Sequence, residues 1–129
     1  MRTTLLFFSA LFFHQLCAQR FYDESGRYQG RQDGERFYDA DGRYTGRSDD
    51  QRHYDASGRY TGRMDGGRIY DESGRYGGRI DGDRAYDSNG RYLGRVDGDR
   101  YYDANGRYIG RAEDVDQTDG MLHFFWRQP

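Results

Sequence analysis

The tetrad Arg20-Phe21-Tyr22-Asp23 recurs every 16 residues, beginning again at Arg36, Arg52, Arg68, Arg84 and Arg100. Each copy runs on through two variable residues into Gly-Arg-Tyr-x-Gly-Arg, and most copies close on Asp-Gly or a similar polar pair. A fixed period of this length confines the chain to a repeat architecture, in which each unit buries its apolar face against its neighbours. Glycine recurs too often for helices.

Two turn signals divide each period. The first is Asp-x-x-Gly, as in Asp87-Ser88-Asn89-Gly90. There the Asp side chain bonds its own backbone two residues on, and the Gly takes a positive φ. The second is Asp-Gly, as in Asp81-Gly82 and Asp97-Gly98, a strong two-residue hairpin signal. The segments between are short and hold tyrosines and β-branched residues. They predict an all-β fold of six antiparallel hairpins in one continuous meander. Whether the meander closes radially, as a flower or barrel, is open at this level.

With Asp97-Gly98 as the loop, Val96 opposes Asp99 and Gly94 opposes Tyr101. The same pairing sets Gly30 against Phe37, Gly46 against His53, Gly62 against Ile69 and Gly78 against Ala85. Across the other turn it sets Tyr102 against Arg107 and Tyr101 against Tyr108. One face then carries the variable residue before the first Tyr, the second Tyr, the strand Gly and the residue before Asp-Gly. It reads as core, with Phe21, Phe37, Ile69, Tyr101, Met64, Ile80 and Val96. The residue before the second turn runs Gln32, Ser48, Met64, Ile80, Val96, Ala112, so the later repeats should pack better. The opposite face is a lattice of tyrosine and arginine.

The two ends depart from the repeat. Residues 1–18 have Arg2, an apolar run from Leu5 to Phe13 broken only by Ser9, and small Ala18 before Gln19. That is the layout of a secretory signal cut after Ala18; an uncleaved anchor and a lipoprotein through Cys17 are the alternatives. The run is shorter than the ~20 residues of a membrane span. All twenty cationic side chains are arginine. Losing Arg2 leaves nineteen against twenty-two acids, a net charge of −3, and losing Cys17 leaves no cysteine. Residues 19–115 form the six-repeat domain. Residues 116–129 are an acidic loop and an apolar closing segment; within the tail, Ala112 to Gly120 reads as loop and Met121 to Trp126 as a closing strand or a cap. Docking a partner is the other use of so apolar a segment.

The succession Tyr-Asp-x-x-Gly, short strand, Gly, Asp-Gly-Asp is clearest in Arg68 to Asp83 and Arg84 to Asp99. It resembles the bacterial 4-fold β-flower proteins over Arg20 to about Val115. That resemblance implies radially arranged hairpins and no assigned activity; six copies exceed a four-fold count. The copies are less closely similar to choline-binding-type cell-wall repeats, which carry Trp and are longer. A likeness to the YD repeats of secreted toxins rests on Tyr-Asp-x-x-Gly-Arg alone.

The chemistry on offer points to binding. Past the signal only His53 and His123 remain as histidines, and Ser25, Ser57, Ser73 and Ser88 occupy turn positions. His53 fills a slot held elsewhere by Phe, Ile or Ala and reads as a packing residue. Asp39 and Asp41 alternate as a calcium loop requires, but no bidentate Glu completes the set. No catalytic residue, metal or cofactor is expected. The acidic balance and the export signal oppose nucleic acid, and strands below ~9–11 residues oppose a transmembrane barrel. The candidate binding residues are the first tyrosine of each repeat (Tyr22, Tyr38, Tyr54, Tyr70, Tyr86, Tyr102) and the arginine after each strand glycine (Arg31, Arg47, Arg63, Arg79, Arg95, Arg111). Stacking rings and bidentate forks suit an envelope polysaccharide or another envelope protein, in the periplasm or outside the cell. The alternative is a structural spacer or assembly unit whose Arg and Asp satisfy one another.

Overall fold

The structure is a computed structural model and describes residues 19–127; the signal segment and Cys17 lie outside them. Each repeat contributes two strands: β1 Gln19–Asp23 and β2 Tyr28–Asp33, β3 Arg36–Asp39 and β4 Tyr44–Asp49, β5 Arg52–Asp55 and β6 Tyr60–Asp65, β7 Arg68–Asp71 and β8 Tyr76–Asp81, β9 Arg84–Asp87 and β10 Tyr92–Asp97, β11 Arg100–Asp103 and β12 Tyr108–Glu113. Every strand pairs with its sequence neighbours, and β1 pairs with β12, so the meander closes into a twelve-stranded barrel. Closure removes the free edges that an open sheet would expose. No described helix is long and apolar enough to cross a membrane.

The Asp-x-x-Gly turns repeat one geometry. Asp87 Oδ1 accepts the backbone N–H groups of Asn89 and Arg91, both at 2.9 Å, and Gly90 N–H donates to the Asp87 carbonyl. The opening Asp of the other five repeats does the same work.

The second turn lies one residue further on than Asp-Gly predicts. Asp97 pairs with Arg100, Val96 with Tyr101 and Arg95 with Tyr102, so Gly98-Asp99 is the loop. Gly98 has φ +66°, and glycine at the first loop position suits a II′ hairpin turn. Between Asp49 and Arg52, Asp50 and Gln51 take φ of +49° and +75° without glycine. The register moves by two residues, so the faces of these strands survive while the predicted partners change. Gly94 opposes Ala85 of its own repeat and Asp103 of the next, not Tyr101. Likewise Gly30 opposes Phe21, Gly46 opposes Phe37, Gly62 opposes His53 and Gly78 opposes Ile69.

A bulge corrects the face of the second tyrosine. Tyr101 pairs with Gly110 but Tyr102 pairs with Tyr108, leaving Ile109 as the extra residue. Such an insertion reverses the alternation of side chains beyond it. Tyr108 therefore joins Tyr102 on the outer face, and Ile109 packs against the core. Every repeat has this bulge.

The interior is filled from the C-terminal side. Ala112 and Glu113 belong to β12, and a short helix, α1 (Gln117–Leu122), replaces the predicted loop. Asp116 caps it by accepting the Thr118 N–H at 3.1 Å, the expected role of Asp before a helix. A π-type turn follows over His123–Arg127, so the apolar segment is neither strand nor lid. It is a plug. Met121, Leu122 and Phe124 are buried, and the core joins Phe21, Ala85, Val96, Tyr101 and Ala112 to Met121 and Phe124.

Candidate functional site

The outer face carries an unbroken belt. Each candidate arginine lies directly opposite the first tyrosine of the next repeat, with its guanidinium carbon 4.0–4.5 Å from the ring centroid: Arg31 over Tyr38, Arg47 over Tyr54, Arg63 over Tyr70, Arg79 over Tyr86, Arg95 over Tyr102 and Arg111 over Tyr22. The last contact joins the two ends of the array. The structure thus brings together all twelve residues named from the sequence.

A carboxylate two residues along the strand completes each unit. Asp33, Asp49, Asp65, Asp81 and Asp97 lie 3.3–3.9 Å from their arginines. Glu113 takes this place at the seam, 2.8 Å from Arg111, and also accepts from the Tyr22 hydroxyl at 3.5 Å. The hydrogen bond from Arg111 holds the Glu113 carboxyl below its usual range and, reciprocally, raises Arg111. The six arginine side chains still keep 33–41% of their surface, so their charge pairs are weak, solvated ones.

The second tyrosines are the part of the belt that the sequence reading placed on the wrong face. Each lies beside a first tyrosine with centroids 5.9–6.0 Å apart and planes tilted by 55–61°. Among the described residues, Tyr76 and Tyr92 are the exposed large hydrophobic side chains, at 38% and 36%. An arginine covers each first ring, so the second rings offer the freer stacking surface.

Inside the barrel, the plug spreads its side chains over successive repeats. His123 stacks on Phe21 at 4.1 Å and faces the Gln29 amide oxygen at 3.0 Å. Phe124 stacks on Tyr101 at 4.5 Å and lies against Gly110. Phe125 lies against Gly94 and Trp126 against Gly78, with the indole N–H donating to the Gly77 carbonyl at 3.0 Å. Arg127 turns toward the remaining repeats, 4.3 Å above the Phe37 ring and 3.4 Å from His53 Nδ1.

That last side is not filled. A cavity of about 380 Å³ lies there, lined by Phe37, Thr45, His53, Thr61 and Arg127 and also by the belt residues Arg31, Tyr38, Arg47 and Tyr54. Asp39 and Asp55 also line it, which places it toward the end bearing the Asp-x-x-Gly turns. The small polar Thr45 and Thr61 occupy the bulge position that holds Leu93 and Ile109 elsewhere. Burial lowers the pKa of His53, helped by Arg127 and opposed by Asp119; burial and Arg127 bring His123 down to about 4. Crowding by the surrounding protein lowers Arg127, against the pull of Asp119, although the residue stays exposed. His53 lines the cavity beside Arg127, and neither was singled out for binding. The signal available was the contrast between Thr at 45 and 61 and Leu or Ile at 93 and 109. No three His, Cys, Asp or Glu side chains converge as a metal site among the described residues.

A model of the 5-fold beta-flower protein family matches residues 18–127. The match corrects the four-fold resemblance to a neighbouring variant, and this chain closes its ring with six repeats. No curated protein matches the chain, and no solved structure does.

Proposed function

The chain belongs to the 5-fold β-flower family, and on that premise we propose that it is an exported, non-enzymatic binding module of the cell envelope. Its ligand is an extended polymer, envelope polysaccharide above all, held on the outer tyrosine belt. One observation carries this reading: six like-spaced pairs of tyrosines ring the outside of the barrel, the second ring of each pair partly or fully exposed. Flat rings at regular intervals suit the stacking of successive sugars, at low entropic cost for the protein. The arginines orient the first rings and contribute their unspent N–H donors. Export rests on the sequence of residues 1–18, and the lack of catalysis on the assignment of the serines to turns.

A second reading is favoured by the carboxylate at every arginine. The belt then satisfies itself, and the barrel is a rigid spacer or assembly unit. A peptidoglycan pull-down and a glycan array separate the two. Retention that is lost in the Tyr76→Ser/Tyr92→Ser variant supports binding. Blank results on both, with self-association in the ultracentrifuge, support the structural reading. Periplasmic fractionation with Gln19 as the first residue tests export.

A further inference from the structure

We propose that the cavity beside Thr45 is a site for a planar aromatic ring carrying an N–H donor, seated against Gly46. The plug sets the pattern that carries it. Successive plug residues meet successive strand glycines: Phe124 at Gly110, Phe125 at Gly94 and Trp126 at Gly78, each with a ring carbon 2.5–3.0 Å from where a Cβ would stand. A strand glycine leaves its backbone bare, and an aromatic ring laid against it restores the missing contact. At the other end of the plug, His123 stacks on Phe21, the residue across from Gly30. Four of the six repeats thus take a ring from the plug.

The second repeat takes none. Arg127 follows Trp126, is exposed, and lays its guanidinium 4.3 Å from the centre of the Phe37 ring. The atoms nearest to a Cβ at Gly46 are backbone atoms of Tyr54 and Asp55, with no plug ring among them. Gly46 is also the strand glycine that lines the cavity of about 380 Å³, a volume within the ordinary range for small-molecule sites. Thr45 and Thr61 in its wall are exposed, so solvent reaches it. The local frame matches the repeats that do hold a ring. Phe37 pairs with Gly46 as Ile69 pairs with Gly78 and Ala85 with Gly94, each beside the same bulge.

The donor is read from Trp126. Its indole N–H donates to the Gly77 carbonyl at 3.0 Å. Gly77 is the bulge residue before Gly78, and Thr45 holds that position before Gly46. A ring seated at Gly46 in the same manner offers its N–H to the Thr45 carbonyl. The Arg127 guanidinium lines the same cavity, and a cation near an aromatic face adds to the attraction. Arg31, Tyr38, Arg47 and Tyr54 line it as well, so the site adjoins the outer belt. The ligand class is an uncharged, indole-like heterocycle.

Isothermal titration of the purified protein with indole tests the site. The probes beside it are 1-methylindole, which lacks the donor, and cyclohexanol, which has a donor but no flat ring. Indole should bind, 1-methylindole about threefold to tenfold more weakly for want of one neutral hydrogen bond, and cyclohexanol at least tenfold more weakly. In the unaltered protein the Gly46 α protons should shift and show nuclear Overhauser contacts to the indole. Those of Gly94 and Gly110, already against plug rings, should stay in place. Thr45→Trp, which puts an indole into the cavity from its own wall, should weaken binding tenfold or more. N-acetyltryptophanamide separates the sources of the ring: binding tighter than that of indole supports a peptide-borne ring, weaker binding a free heterocycle. No binding of indole, equal binding of either control, or contacts that miss Gly46 overturn the proposal. So does a folded Thr45→Trp protein that binds indole undiminished. Polymer retention is read at Tyr76 and Tyr92, in the fourth and fifth repeats, so either reading can fail while the other stands.

Discussion

The Arg111 guanidinium sits 4.1 Å from the centre of the Tyr22 ring, the same contact that Arg31 makes with Tyr38 across a tight hairpin. Tyr22 pairs with Arg111 and Phe21 with Ala112, as Tyr38 pairs with Arg31 and Phe37 with Gln32. The seam is thus a hairpin interface without its loop. Noncovalent contacts alone hold it, and Glu113, one methylene longer than Asp, reaches both Arg111 and Tyr22.

Breaking the seam should cost more than breaking an internal copy. Arg111→Gln removes a cation–π contact of about 0.5–1 kcal/mol where no loop keeps the strands close. Arg63→Gln removes the same contact between strands that a two-residue loop holds together, which limits the loss. Urea titrations of both variants should show the larger drop for Arg111→Gln; equal drops would mean that the plug, and not the seam, keeps the barrel closed.

The strand glycines should resist even one added methyl. Gly94 has φ +151°, and a Cβ there would run into the Tyr102 carbonyl oxygen and the Phe125 ring. Gly94→Ala should cost at least 2–3 kcal/mol, about the strain of an unfavourable φ plus displacement of the neighbours. At Gly98, where a Cβ meets nothing within 4 Å at φ +66°, alanine should cost only about 1–2 kcal/mol. Denaturation midpoints compare the two directly.

The plug should contribute a large part of the core. Phe124 is buried against Tyr101, Phe21 and Gly110. Phe124→Ala should destabilise by about 3–5 kcal/mol. A thermal scan reads the effect, and a shift of less than about 1 kcal/mol would place the plug outside the cooperative unit.

Stability should fall on mild acidification. His123 is brought from 6.5 down to about 4 by burial and by Arg127, and His53 is lowered for the same two reasons. The fold holds these rings neutral, so the unfolded chain takes up protons first as pH falls. The stabilisation is complete above about pH 6.5 and drains away between there and about pH 4. For His123 the loss is at most about 3 kcal/mol. His123→Phe keeps the stack on Phe21 and should flatten most of the decline; an unchanged slope would assign it to other groups.

The repeat, its two turns and its two-faced strands are written in local chemistry. Asp87 organises its turn with its own side chain, Gly98 supplies a positive φ, and the alternation of Arg95 with Val96 assigns one residue to each face. The twelve belt residues were legible because one period repeats them. The bulge was not, because the extra residue at Ile109 follows from how β11 and β12 fit and has no marker of its own; it alone moved Tyr108 to the outside. Only the tertiary structure decided that the sheet closes, since closure depends on β1 reaching β12 from the far end of the chain. Closure then created an interior, and that interior determined the rest. It drew Met121 to Trp126 inside as helix, because a closed barrel has no edge left for another strand, and it left a space beside His53 and Arg127 that Thr45 and Thr61 are too small to fill.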